Sequence, residues 1–151
     1  MIVSKALCPT WIRRIPVSLP PPRNFQPVKL IPVVLKMKET YGLWQQYLIH
    51  FPKSHRYTIG SKIDTVFLDA IEYCFLASYT AQNQKIVVLE RSISRIDLLK
   101  LLMQLAWDIK ALDTNKYVQL SEPLSEIGKM LGGWRRQLTN KTPEVLPQEK
   151  Q

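Results

Sequence analysis

The sequence predicts an all-α protein, an antiparallel four-helix bundle preceded by an extended, Pro-rich N-terminal arm. Three observations carry this. Apolar residues recur at spacings of three and four in four successive segments, the period of one face of an α-helix. No segment shows the alternation expected of a half-buried strand. Seven of the 11 prolines, Pro9, Pro16, Pro20, Pro21, Pro22, Pro27 and Pro32, fall near the N-terminus, where they oppose regular helix.

Taken in order, residues 1–36 form a basic Pro-rich extension with Arg13, Arg14, Arg23, Lys29 and Lys36, expected to be poorly ordered. The prolines exclude a secretory signal helix. The arm is open to three readings: a basic extension that docks on RNA or a protein, a disordered leader, or sequence upstream of a true start at Met37. The bundle is expected over 37–140, and a flexible tail with two prolines over 141–151.

The first helix is expected from Lys38 to Phe51, where Tyr41, Leu43, Trp44, Tyr47, Leu48 and Phe51 make an apolar face and Pro52 ends it. The connector KSHRYT follows. The second helix is expected to begin at Thr58 or Ser61, with Ser61 and Asp64 spaced as a capping box. Its face comprises Ile59, Ile63, Val66, Phe67, Ala70, Ile71, Cys74 and Ala77, and polar residues end it near Thr80 to Asn83.

The third helix, Gln84 to Leu112, carries one apolar stripe of Leu89, Ile93, Ile96, Leu99, Met103 and Ala106. A second comprises Leu98, Leu102, Leu105, Ile109 and Leu112. Two greasy faces imply contact with another subunit, unless the first helix or the arm covers one of them. The last helix opens near Leu112 to Asn115 and holds Leu120, Leu124, Ile127, Leu131, Trp134 and Leu138 on one stripe. Pro123 must kink it or mark its first turn, in which case Ser121 is the cap. Gly128, Gly132 and Gly133 each cost a helix interior about 1 kcal/mol relative to Ala, an expense that close approach of another helix beside Trp134 would offset.

With 151 residues and 46% hydrophobic content, the chain can bury a core. Its 21 Lys and Arg against 12 Asp and Glu leave a formal charge of +9, which favours a polyanionic partner, nucleic acid first. Cys8 and Cys74 have no CxxC partner, so neither a disulfide framework nor a zinc site is expected, and a reducing cytoplasmic setting is the default. No apolar run is long enough for a transmembrane helix, so no membrane partner is expected.

Catalytic patterns are not evident. His50 and His55 are the only histidines and lack a companion ligand set, and no Gly-rich phosphate loop or nucleophile elbow is present. Glu122 and Glu126 stand one turn apart, an arrangement typical of a solvated face. A non-enzymatic binding or scaffold role without metal or cofactor is therefore expected. The candidate binding residues are the cations Lys53, His55, Arg56 and Lys62 around the start of the second helix, Arg91, Arg95 and Lys100 on the third, and Lys129, Arg135 and Arg136 on the last. Repeated around an oligomer, they would contact a phosphate backbone with a steep salt dependence.

Three segments, FPKSHRYTIGSKID at 51–64, LLKLLMQLAWDIKAL at 98–112 and LSEPLSEIGKMLGGWRRQL at 120–138, resemble the accessory variability determinant proteins of diversity-generating retroelements. The FP...HR.T.G connector and IGKMLGGW are the most specific parts. The resemblance implies a four-helix protomer in a positively charged pentameric barrel. It implies a non-catalytic partner that binds the element's reverse transcriptase and its template RNA or cDNA during adenine-mutagenic copying. Lys100 falls at a position where that family carries a basic residue, whereas Gln104, one turn on, is uncharged. The four-helix proteins encoded in ribosomal RNA intervening sequences share the fold and supply the alternative, a structural homo-oligomer with general RNA binding and no reverse transcriptase partner. The GGW ending favours the retroelement branch.

Overall fold

The computed structural model describes residues 31–141, so the greater part of the expected arm and all but the first residue of the tail lie outside the described residues. Four helices follow one another: α1 (Pro32–Leu48), α2 (Ser61–Tyr79), α3 (Gln82–Asp108) and α4 (Thr114–Lys141). Short connections make neighbours antiparallel, and the principal contacts run from α1 to α2, α2 to α3, α3 to α4 and α4 back to α1. The result is a closed four-helix bundle around one core.

Helix α1 starts earlier than its periodicity suggested. Pro32 occupies the first helical turn, where its missing N–H costs nothing and its fixed φ suits a helix. Val33, Val34 and Met37 then bury themselves with Thr40 and Trp44, so residues 32–36 belong to the bundle and not to an extended arm. Thr40 is satisfied by donating to the Lys36 carbonyl at 2.8 Å.

Between α1 and α2 the chain makes one helical turn at Lys53–His55 and a π-helical turn at Arg56–Gly60 that runs directly into α2. This continuity removes the need for a side-chain cap. Neither Thr58 nor Ser61 acts as one, since Gly60 occupies the N-cap position and Thr58 donates to the His55 carbonyl at 3.2 Å. The Asp64 carboxylate is likewise not part of a capping box. It accepts hydrogen bonds from the Tyr41 hydroxyl, at 3.0 Å, and from Gln45, both on α1.

The expected face of α2 is largely the buried one: Ile63, Val66, Phe67, Ala70, Cys74 and Ala77 are fully covered, and Ile59 and Ile71 are partly so. Burial pushes the Cys74 thiol up to about 12, so it stays protonated and acts as a small core residue. Ser92 of α3 reaches the same layer and donates to the Ala70 carbonyl at 2.9 Å, which satisfies a hydroxyl no water can reach. The first stripe of α3 is core, with Ile93 partly covered. The second divides: Leu112 is buried in the following loop, Leu98 and Leu102 are partly buried, and Leu105 and Ile109 are exposed.

Helix α4 runs unbroken through Pro123, so Ser121 lies inside the helix and is not its cap. Asp113 takes that role, its Oδ1 accepting from the Lys116 backbone N–H at 3.0 Å. An interior proline costs about 3 kcal/mol. Leu120 and Leu124 on either side of it, and Ile127 and Leu131 beyond, are fully buried and offset that cost at roughly 2 kcal/mol each.

Candidate nucleic-acid interface

The ten candidate cations separate into three groups with different surroundings. In the first, Lys53 and Lys62 are exposed around the connector and His55 is half-buried, but Arg56 turns inward. One of its terminal nitrogens donates to the carbonyls of Ile49, at 2.8 Å, and Phe51, at 2.9 Å. Those oxygens lie just past the end of α1, where the helix dipole favours a cation. Arg56 is therefore a structural clamp, one end of its guanidinium committed to backbone carbonyls.

Phe51 explains the rest of the connector motif. It is buried edge-on against Trp44, with ring centroids 5.7 Å apart. Gly60 closes the same corner: a Cβ there would lie 3.3 Å from Leu48 Cδ1, 3.4 Å from the His55 carbonyl oxygen and 3.5 Å from Phe51 Cδ1. The sequence pattern FP...HR.T.G thus encodes a compact turn. Neither the clamp nor the close approach at Gly60 emerged from the sequence, because periodicity does not report backbone carbonyls left open by a helix end.

The second group, Arg91 and Arg95, lies on α3 and lines a groove of about 520 Å³ with Tyr73, Val87, Glu90 and Ser94. Arg91 is exposed, whereas Arg95 pairs with Asp69 of α2 at 3.5 Å. The third group lies where α3 meets α4. Lys100 and Lys129 line a groove of about 400 Å³ with Ile93, Ile96, Asp97, Ser125 and Gly128, and the Lys100 ammonium is 3.3 Å from Asp97 Oδ1. Arg135 and Arg136 are exposed farther along α4.

The glycine-rich segment of α4 departs from the packing expected of it. A Cβ at Gly128 would meet Lys100, at 2.8 Å from Nζ, rather than a helix backbone, and around Gly132 and Gly133 there is nothing within 4 Å. Among the described residues, no close helix approach offsets them. Trp134 is only partly buried and, with Gly133, Met130, Ile31, Pro32, Val33 and Gln137, lines an open groove at the α1–α4 edge.

Glu122 and Glu126 do not form an acid pair. Glu126 pairs with Lys36 across α1 and α4, and the hydrogen bond and charge of that lysine hold its carboxyl below the usual range. Among the described residues, no three His, Cys, Asp or Glu side chains gather where they could hold a metal ion. None of the described helices is long and apolar enough to cross a membrane.

The model of the bAvd-like family matches residues 35–138. The chain belongs to the bAvd-like family. No curated protein matches it. The matched region of this bAvd-like chain takes in nearly all of α1, all of α2 and α3, and α4 as far as Leu138, and so contains every candidate cation. It also contains the connector turn and the glycine segment, which in the bAvd-like bundle form opposite kinds of site: one closed on itself, the other open to the surface.

Proposed function

We propose that this bAvd-like chain is a non-catalytic accessory subunit of a diversity-generating retroelement. It assembles into a positively charged homo-oligomer, a pentamer by resemblance, and binds the element's reverse transcriptase together with its template RNA or cDNA. The family match over residues 35–138 carries this proposal. Two features of the surface support it. Exposed Arg91, Lys129, Arg135 and Arg136, with half-buried Lys100, offer cations on α3 and α4 to a phosphate backbone. Leu101 and Leu105 of α3 and Ile109 just past its end, 61%, 45% and 41% exposed, follow one another four residues apart and present an apolar strip suited to a second copy. A cytoplasmic setting goes with such a role.

Co-expression with the reverse transcriptase of a diversity-generating retroelement, followed by purification at low salt, tests the proposal. A complex containing enzyme and RNA is expected, with a mass by light scattering several times the 17.6 kDa of one chain for the accessory protein alone. RNA binding without any enzyme complex would favour the ribosomal intervening-sequence alternative, and a clean monomer would remove the oligomer. Replacing Arg91, Arg95 and Lys100 together by Ala is expected to weaken RNA binding and flatten its salt dependence, by about 0.7 in log–log slope for each phosphate of a single strand that is no longer neutralised.

A further inference from the structure

Among the described residues, Gly128 is the one glycine of α4 whose missing side chain leaves room that another side chain uses. The ammonium of Lys100 crosses from α3 to the place a Cβ at 128 would occupy, 2.8 Å from its Nζ and 3.6 Å from its Cε. The ion pair with Asp97 does not by itself hold the lysine there. It is 3.3 Å long, joins residues one turn apart on the same helix, and the carboxylate side chain is 66% exposed, a setting in which such pairs constrain little. The missing Cβ at Gly128 leaves the room that this placement needs. It lets the lysine lie in the α3–α4 groove, whose other polar lining residues are Lys129, Ser125 and Asp97.

We infer that Gly128 is a positioning residue: it keeps α4 clear where Lys100 crosses it, and so places that ammonium beside Lys129 and Ser125 as the contact for one RNA phosphate. Two cations and a hydroxyl donor around a shallow groove match a phosphodiester, which offers acceptors and a single negative charge. Lys100 would exchange Asp97 for the incoming phosphate. The phosphate part of this inference rests on the RNA binding proposed above, whereas the placement of Lys100 does not.

Gly128→Ala in the full chain tests both parts. The added methyl overlaps only the far end of a flexible side chain, so the helix is retained and the lysine swings out. The first measurement is the acetylation rate of Lys100 by acetic anhydride, read by mass spectrometry against Lys141 in the same molecule. It is expected to rise at least twofold in the variant. The second is the salt dependence of binding to a fluorescent single-stranded RNA. Gly128→Ala and Lys100→Ala should each lower the log–log slope by about 0.7, and Gly128→Ala should add nothing in a Lys100→Ala background. Unchanged acetylation and slope in Gly128→Ala would overturn the inference, as would a further drop in slope in the Lys100→Ala background. If the unaltered protein shows no salt-dependent RNA binding, the RNA proposal and the phosphate contact fall together, and the acetylation ratio alone decides whether Gly128 places Lys100.

Discussion

In the connector between α1 and α2, Arg56 is drawn onto the carbonyls of Ile49 and Phe51, and Gly60 is packed against Leu48 and Phe51. In the groove between α3 and α4, Lys100 lies over Gly128 with only an exposed aspartate as partner, and Gly132 and Gly133 face open space. Both regions pair a cation with glycine inside a recognisable motif. In the first the charge completes the backbone hydrogen bonding of a helix end, so the residues act on stability. In the second, among the described residues, the lysine's ion-pair partner is an exposed aspartate and Gly132 and Gly133 meet no atom, so this surface does not serve the closure of a helix end. The difference teaches that a family motif marks a shape, and that the partners of each polar group decide whether the shape serves folding or binding.

The contrast can be broken at its strongest point first. Arg56→Ala leaves two carbonyls without their charged donor and should cost about 2 kcal/mol in denaturant unfolding, with no change in the salt slope of RNA binding. Arg56→Lys should recover only part, because an ammonium cannot reproduce the guanidinium fork. A silent Arg56→Ala would remove the clamp from the account. Gly60→Val forces bulk into the corner held by Leu48 and Phe51 and is expected to destabilise by roughly 1–3 kcal/mol.

The opposite sign is expected at the open glycines. Gly132→Ala and Gly133→Ala meet no atom within 4 Å, so each should stabilise α4 by up to about 1 kcal/mol through helix propensity. If sedimentation shows that the same substitutions weaken self-association, the glycines serve a contact between copies. Destabilisation instead would mean that the protomer already uses them.

The smallest effect concerns the cap of α4. Its backbone and side-chain hydrogen bonds with Lys116 hold the Asp113 carboxyl below its ordinary value of 3.8. The folded state therefore binds this proton less readily than the unfolded chain. The stabilisation is complete above the ordinary value and fades as pH falls through the lowered one. Asp113→Asn keeps a good capping oxygen, so stability at neutral pH should change little while the acid limb of the stability curve flattens below about pH 4. An identical acid limb in the variant would assign that pH dependence to other carboxylates.

Much of the bundle was legible because period and burial agree. Nearly every residue assigned to the α2 face and the first α3 stripe is buried, and Leu120 to Leu131 of α4 hold their register across Pro123. Local signals misled where tertiary contacts compete with them. Pro32 resembled the prolines before it, yet Val33, Val34 and Met37 make it a helix start. Asp64 stood at capping-box spacing, yet Tyr41 and Gln45 claim its carboxylate from another helix. Leu101 falls on neither apolar stripe and is the most exposed apolar residue of α3. The cations were legible as a set but not by role, because what separates Arg56 from Lys100 is the atom each one reaches. The buried indole N–H of Trp44, which has no hydrogen-bond partner among the described residues, was likewise hidden in an otherwise regular apolar face.

The division of labour between connector and groove is tested most directly by one titration series. Binding of a fluorescent single-stranded RNA is measured from about 50 to 200 mM salt for the unaltered protein, Lys100→Ala/Lys129→Ala and Arg56→Ala, each at a temperature where it remains folded. The groove variant should show a slope reduced by about 0.7, the equivalent of the one phosphate held there, while Arg56→Ala keeps the full slope. A reduced slope in Arg56→Ala, with the groove variant unchanged, would contradict the assignment and place the RNA surface at the connector.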